Sequence, residues 1–280
     1  MDKLCCWNVG EEVMAPVRTL ARLLLLGALA AAPAHAAGPA ASPAARAAAF
    51  ATLPDWSGLW KLEGSPALIE PGPRPTPMRD HPPYNPEWEA RYAVDLGRAE
   101  RQADPKATDA IVDTHTLYCT GGMPRLVATP FLYHFAVTPE ATWLLVGGEV
   151  RTVFTDGRAF PPEDEMWPQF DGWSIGHWEG GVLVIETRDI KAGMWADMTP
   201  AVLSAKAVVR ERLRRLDAKT MEDQVEITDP VALTGAWRFT RRYLKEADPV
   251  GWPDEREVCG GPDDRNPIVG NHVQTTLARP

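Results

Sequence analysis

A pair of adjacent glycines, Gly180-Gly181, constrains the fold of this chain more than any other feature. Glycine adopts positive φ angles without steric cost, so a double glycine favours a two-residue β-hairpin loop. The run that follows, residues 182–187, is apolar and β-branched, which indicates a strand. Pairing outward from the loop sets Glu179 opposite Val182 and predicts a hairpin over residues 174–187.

Ser174, in the same stretch, is the serine of a Gly-x-Ser-x-Gly pattern, which also marks the nucleophile of many serine hydrolases. Such a nucleophile needs a strand before the serine and a helix after it, so that the hydroxyl lies on a sharp turn. Here a glycine turn and a second strand follow the serine. The context therefore favours the hairpin over the hydrolase.

The predicted hairpin brings a histidine and a carboxylate onto one face. Alternation of side chains makes His177 and Glu186 diagonal neighbours, within reach of each other. A carboxylate beside an imidazole raises the imidazole pKa and supports acid–base chemistry, so both are candidate catalytic residues. The alternatives are a surface ion pair or a histidine satisfied in the core. Sequence does not decide whether this face lines a pocket or meets water.

Polar and aromatic residues flank a second tight turn, predicted at Asp156-Gly157. Asp156 and Arg158 are further candidate catalytic residues, although an aspartate before a glycine also serves simply to make a turn. An aromatic cluster follows, and aromatic rings beside acids suit the mouth of a pocket that stacks a planar or sugar-like ligand. Its members are Trp167, Phe170, Trp173 and Trp178. Core packing is the alternative for the tryptophans.

The chain after residue 54 predicts many short strands and one early helix. Asn85-Pro86 is typical of a helix start, and this helix is expected to run to about Gln102. Residues 207–216 fit a helix almost as well as a strand, but their neighbours favour a strand. Further strands are predicted over residues 131–137, 143–146, 149–155 and 224–228 and from Trp237. The pattern predicts a mainly β fold, an antiparallel barrel or strongly curved sheet of calycin type with one early α-helix.

The amino-terminal region has the features of a secretory signal peptide, predicted over residues 1–36 with Met14 as a possible true start. Two arginines precede an apolar run, and Ala34-His35-Ala36 matches a cleavage site. The apolar run is shorter than the roughly 20 residues of a membrane span, so no integral span is expected after cleavage, and an uncleaved anchor is the alternative. We therefore expect a periplasmic or secreted protein.

The exported chain is expected to have a simple organisation. Residues 37–53 are rich in alanine and proline, which predicts a linker or a short helix, and residues 54–280 are expected to form a single β-rich domain. Cys119 and Cys259 remain after removal of the leader. An even pair of cysteines in an oxidising compartment predicts a disulfide, with two buried thiols as the alternative.

Charge and motif content narrow the possible partners. The net charge of −9 disfavours nucleic acids and anionic membranes. The sequence has neither a phosphate-binding loop nor a dinucleotide-binding glycine motif, so we expect no cofactor. The histidines of the mature chain are scattered, so we expect no metal. A small-molecule ligand is the expected partner, and the sequence does not fix the oligomeric state.

The order of several short motifs resembles a group of secreted bacterial proteins of unknown function. The motifs are Ser57-Gly58-Leu59-Trp60, Cys119 with Gly122-Met123-Pro124-Arg125, residues 154–158, residues 174–180, and Asp229-Pro230 before Trp237. The resemblance covers nearly the whole mature chain and implies a mainly β, extracytoplasmic protein, but it supplies no catalytic residues. The Gly-x-Trp of the first motif also resembles the opening of lipocalin-type barrels, in which the tryptophan closes one end.

These observations lead to three functional hypotheses. The first is an exported protein that binds a small apolar or aromatic molecule in a β-barrel pocket, since a barrel of this size can enclose one small ligand. The second is an enzyme, a lyase, isomerase or hydrolase, that uses a histidine–carboxylate pair in the same pocket. The third is a structural protein of the envelope, which predicts no pocket.

Overall fold

The computed structural model describes residues 42–65, 81–102, 104, 106–118 and 120–247, and the backbone of two short strands near the carboxyl terminus. The predicted signal peptide, Cys119 and Cys259 lie outside the described residues. The described residues form three α-helices, α1 (Pro43–Ala51), α2 (Pro86–Glu100) and α3 (Thr114–Tyr118). In the described ranges, no helix is long and apolar enough to cross a membrane.

Nine strands close into a barrel, with each strand paired to its neighbours in chain order and the last paired to the first. They are β1 (Leu59–Leu62), β2 (Leu132–Val137), β3 (Ala141–Val146), β4 (Glu149–Phe154), β5 (Trp173–Glu179), β6 (Val182–Arg188), β7 (Val208–Arg215), β8 (Thr220–Thr228) and β9 (Trp237–Lys245). Outside the barrel, β10 (Ile268–Val269) pairs with β11 (His272–Val273). The predicted mainly β barrel with an early helix is confirmed.

One strand pair departs from the predicted antiparallel order. β4 and β5 run parallel, whereas all other neighbouring strands of the barrel are antiparallel. Parallel strands need a crossover connection of a dozen or more residues instead of a tight turn. Residues 155–172 provide this connection, which we call the crossover.

The hairpin predicted from Gly180-Gly181 forms with the expected register. Glu179 pairs with Val182, and His177 pairs with Val184. Ser174 lies within β5, with no helix after it, so the hydrolase interpretation is wrong. The alternation is also as expected, since Leu183, Ile185 and Thr187 are buried in the barrel.

Helix α2 and the strand at residues 208–215 also form as predicted. The Asn85 side chain caps α2 by accepting a hydrogen bond from the Trp88 backbone N–H at 3.1 Å. Tyr92, one turn later, is buried against the barrel core. The alanine- and proline-rich segment forms a short helix, α1, which was one of its two predicted structures. The Ser42 hydroxyl caps this helix by accepting a hydrogen bond from the Ala45 backbone N–H at 3.2 Å.

The barrel interior is filled with side chains. Its core includes Trp60, Tyr133, Leu183 and Tyr243, all almost completely buried. The cavity that remains among the inward-facing residues has a volume of about 10 Å³, roughly enough for a single water molecule. A ligand larger than water therefore has no room at the centre of the barrel.

Candidate functional site

The strand pairing of the barrel is shortest where β4 and β5 meet. Their parallel pairing is short, joining Val153 to Ser174 and Phe154 to Ile175. Beyond these residues the two strands are not paired with each other in the described sheet. The crossover lies against the outward-facing side chains of this part of the wall and forms a pocket with them.

The pocket has a volume of about 500 Å³, within the range of roughly 300–1,000 Å³ that is typical of small-molecule sites. Its walls are largely aromatic and apolar. They are formed by Val150, Phe154, Phe160, Phe170, Trp173 and Ile175. The base of the pocket is formed by four polar residues, Glu149, Arg151, Asp171 and Ser174. Apolar walls with a few convergent polar groups are the usual composition of a ligand site.

Asp171 is the most unusual of these polar residues. Its Oδ1 atom is buried and has no hydrogen-bond partner among the described residues. Burial, and next to it the nearby Glu149 carboxylate, raise the pKa of Asp171 to about 6, although Arg151 acts in the opposite direction. The next residue, Gly172, has a φ of +67°, and a Cβ atom there would lie 2.6 Å from the Arg188 carbonyl oxygen. A residue with a side chain would therefore be strained at this position, next to Asp171.

Glu149 is held in place by the segment that precedes the short 3₁₀ turn at residues 125–128. Its two carboxylate oxygens accept hydrogen bonds from the Thr120 hydroxyl at 2.8 Å and the Gly121 backbone N–H at 2.7 Å. The same segment fixes the crossover, because the Met123 N–H donates to the Phe170 carbonyl at 3.0 Å. Glu149 and Phe170 are thus positioned together.

Arg151 connects the pocket to the barrel interior. Its guanidinium donates to Glu211 with both terminal nitrogens, one of them at 2.9 Å, and to the Thr187 hydroxyl at 2.8 Å. Its Nε donates to the Ser174 hydroxyl at 3.2 Å. The Ser174 and Thr187 hydroxyls also share a hydrogen bond of 2.8 Å. Ser174 therefore has a structural role as part of a buried network.

Three cationic side chains lie over the aromatic walls. The Arg158 guanidinium is 3.8 Å from the centroid of the Phe154 ring, and Arg188 is 4.4 Å from that of Phe160. The Lys191 ammonium is 4.5 Å from the centroid of Phe170. Such cation–π contacts restrict the rings, so the walls are ordered before a ligand arrives.

The predicted pair of His177 and Glu186 is not brought together. Both lie on the outer face of the barrel and neither lines the pocket. The His177 side chain, 66% exposed, contacts Glu179 at 3.2 Å, while Glu186 binds Arg188 and Arg210. The arginines on β6 and β7 compete for Glu186, which explains why the diagonal contact with the histidine does not form.

Asp156 and Arg158 do form a pair, with a closest contact of 2.6 Å. Hydrogen bonds from Arg158 lower the pKa of Asp156. Arg158 lines the pocket and Asp156 does not, so the aspartate orients the arginine from behind. No histidine is among the described residues that line the pocket.

The four predicted ligand-binding aromatics separate into two groups. Phe170 and Trp173 line the pocket. Trp167 is 58% exposed and packs edge-on against Trp173, with 5.1 Å between the ring centroids. The Trp167 carbonyl oxygen also accepts a hydrogen bond from the Trp173 indole N–H at 2.9 Å. Trp167 therefore supports Trp173 from outside the pocket. Trp178 is directed away from the pocket and packs against Trp56 at 5.0 Å.

Sequence reasoning missed the polar residues at the base of the pocket. Arg151 and Val153 are two residues apart on β4, so both side chains point into the barrel. A charged residue at such a core position could have indicated the polar base from sequence alone. Asp171 lies in the crossover, where no periodicity exists, and sequence offers no comparable signal for it. Glu149 begins a strand next to a glycine turn, a position where a carboxylate is usually solvated.

Comparisons with known proteins add no family to this description. The chain matches no protein-family model, and no curated protein matches it at a significant level. The resemblance to secreted bacterial proteins stays a prediction. Among the described residues, no group of three or more histidine, cysteine or carboxylate side chains has the arrangement of a metal site.

Proposed function

We propose that the protein is an exported binding protein that holds a small apolar or aromatic molecule in the pocket between β4, β5 and the crossover. The observation that carries this proposal is the pocket itself, about 500 Å³ in volume with aromatic walls. Aromatic side chains bury large areas and stack on planar molecules, which makes such walls effective for this class of ligand.

The position of the pocket also supports binding. Phe154 and Trp173 belong to barrel strands, and Phe170 is fixed by a backbone hydrogen bond to Met123. Walls that are already ordered lose little conformational entropy when a ligand binds, which favours affinity. The signal-peptide pattern of residues 1–36 supports a periplasmic or secreted location for this activity.

The two alternative functions have less support. The acid–base pair expected for an enzyme, His177 with Glu186, lies on the outer face away from the pocket. A purely structural envelope protein was expected to lack a pocket. The aromatic pocket therefore favours a binding role over both alternatives.

A variant that fills the pocket tests this proposal. Ile175 lines the pocket on the outer face of β5, and Val184 occupies the outer face of β6 away from it. We expect the mature protein to bind 1-naphthalenemethanol in calorimetric titrations. Ile175→Trp should weaken binding at least about tenfold by occupying the ligand's space, a loss of about 1.4 kcal/mol. Val184→Trp is the matched control and should bind normally.

Circular dichroism would establish that both variants are folded. Unchanged affinity in folded Ile175→Trp would contradict the proposal, as would failure of the unmodified protein to bind naphthalenemethanol and related aromatic and apolar compounds.

A further inference from the structure

We propose that the ligand carries a cationic amine and that Asp171 binds this amine at the base of the pocket. The inference rests on the proposed function and deepens it by naming the class of ligand. The pocket would then select an aromatic amine over neutral or anionic molecules with the same ring system.

The Asp171 Oδ1 atom is buried and has no hydrogen-bond partner among the described residues. A buried acceptor without a donor is destabilising, and more so when it is charged. The atom belongs to a residue that lines the pocket, so a ligand can supply the missing donor. An ammonium group has three N–H donors and no acceptor, which makes it well matched to a carboxylate.

Carboxylates outnumber free cations at the base of the pocket. Asp171 and Glu149 are both carboxylates and both line this region. The cation that faces them, Arg151, is already engaged by Glu211 inside the barrel. The base therefore has an excess of negative charge, which a cationic ligand would neutralise.

Aromatic walls share the pocket with these carboxylates. Phe154, Phe160 and Phe170 line it, and each already has a cationic side chain over its ring, so the rings are suited to contact the aromatic part of the ligand. A pocket that combines a buried carboxylate with aromatic walls is a chemically suitable receptor for an aromatic amine, whose ring and charge are recognised by different parts of the pocket.

Cations near the rim would attract an anion to the same pocket. Arg158 is held by Asp156, which largely neutralises it, whereas Arg188 shares Glu186 with Arg210. Lys191 lies over Phe170 and Tyr118. Arg125, adjacent to Gly121, is bound by Asp113 at 2.7 Å. Arg188 and Lys191 therefore leave positive charge near the rim, and an anionic probe tests its influence directly.

The proposal predicts a specific dependence of affinity on pH. The pKa of Asp171 is raised to about 6, so the carboxylate is mostly charged at pH 7.5 and mostly protonated at pH 5.0. An amine that needs the charged form should bind about tenfold more weakly at pH 5.0, because about one in eleven molecules retains the carboxylate there. A neutral ligand should show no such loss.

Three probes with one ring system provide the test by calorimetry: 1-naphthylmethylamine, 1-naphthalenemethanol and 1-naphthoate. At pH 7.5 we expect the amine to bind at least about tenfold more tightly than the alcohol, as for a charge-assisted hydrogen bond, and the naphthoate to bind most weakly. Asp171→Asn should abolish the preference and its pH dependence. Glu163→Gln, an exposed acid of the same crossover, should leave both unchanged.

The outcomes separate this inference from the proposed function. Binding of the alcohol by Asp171→Asn would show that its pocket is intact, and if that variant does not fold, the pH dependence in the unmodified protein decides alone. Tightest binding of naphthoate, or equal binding of amine and alcohol, would overturn the inference and leave the proposed function standing. Failure of every probe would contradict the proposed function instead.

Discussion

Arg151 and Glu211 form an ion pair inside the barrel, with side chains only 2% and 1% exposed. The guanidinium also donates to Ser174 and Thr187, so its hydrogen-bonding capacity is largely used. Burial and the Glu211 carboxylate raise the pKa of the neighbouring Asp223 well above its ordinary value. The buried hydrogen bonds of Arg151 fix where β4 and β7 face each other.

Removal of one charge from this pair should be costly. Glu211→Gln removes the carboxylate that pairs directly with the buried Arg151 guanidinium, and we expect it to lower the free energy of unfolding by about 3–5 kcal/mol. Urea denaturation monitored by circular dichroism would measure the loss.

The matched control is Glu226→Gln, which removes the partly exposed partner of Arg238 on the outer face of β8. An exposed pair contributes about 0–1 kcal/mol. Equal destabilisation by the two substitutions would show that burial of the Arg151–Glu211 pair does not have the importance given to it here.

The inward charges were accessible to sequence analysis in principle. Glu211 lies between Val209 and Leu213, and Asp223 lies between Met221 and Val225, all on the buried face of their strands. Strand alternation locates such residues once the inward face is known. Alternation does not reveal which charges pair across the barrel, because that depends on the closure of the sheet.

The β5–β6 hairpin was the most predictable element because its register follows from a local loop. Gly180 has a φ of +61°, whereas Gly181 does not adopt a left-handed conformation. A Cβ atom at either position would meet no other atom within 4 Å. The two glycines therefore differ in backbone conformation and not in packing.

This difference predicts opposite effects of the same substitution. Gly180→Ala forces a side chain into the left-handed region and should destabilise the protein by about 1–2 kcal/mol. Gly181→Ala should be neutral or stabilise the protein by up to about 1 kcal/mol, because it restricts the unfolded chain. Thermal unfolding of both variants would measure the effects. Similar destabilisation by both would contradict the backbone assignment of this loop.

The crossover between β4 and β5 was the least predictable element. Its Asp156-Gly157 turn indicated a chain reversal, and local turn chemistry favours antiparallel neighbours. The absence of any strand-like run over residues 158–172 was the remaining signal, because a parallel pair needs a long connection. The polar base of the pocket depends on this connection, so Asp171 could not be placed without the structure.

At the scale of the whole molecule, the barrel acts as a rigid scaffold with a filled interior. The nine strands close completely, yet the volume left at the centre is about 10 Å³. The larger pocket lies at the single parallel junction, where pairing between strands is shortest. Sequence analysis predicted the barrel and two aromatic residues that line the pocket, Phe170 and Trp173. It could not locate the pocket itself, because the pocket depends on the parallel order of β4 and β5.

The central claim is that a small aromatic ligand binds at this junction and not within the barrel. Methyl NMR spectra of the protein, recorded during titration with 1-naphthylmethylamine, test it most directly. We predict saturable shifts for the methyl groups of Val150 and Ile175, which line the pocket. The methyl groups of Leu183 and Leu213, which line the interior, should remain unchanged. Shifts centred on Leu183 and Leu213, or no shifts at saturating ligand, would contradict the account.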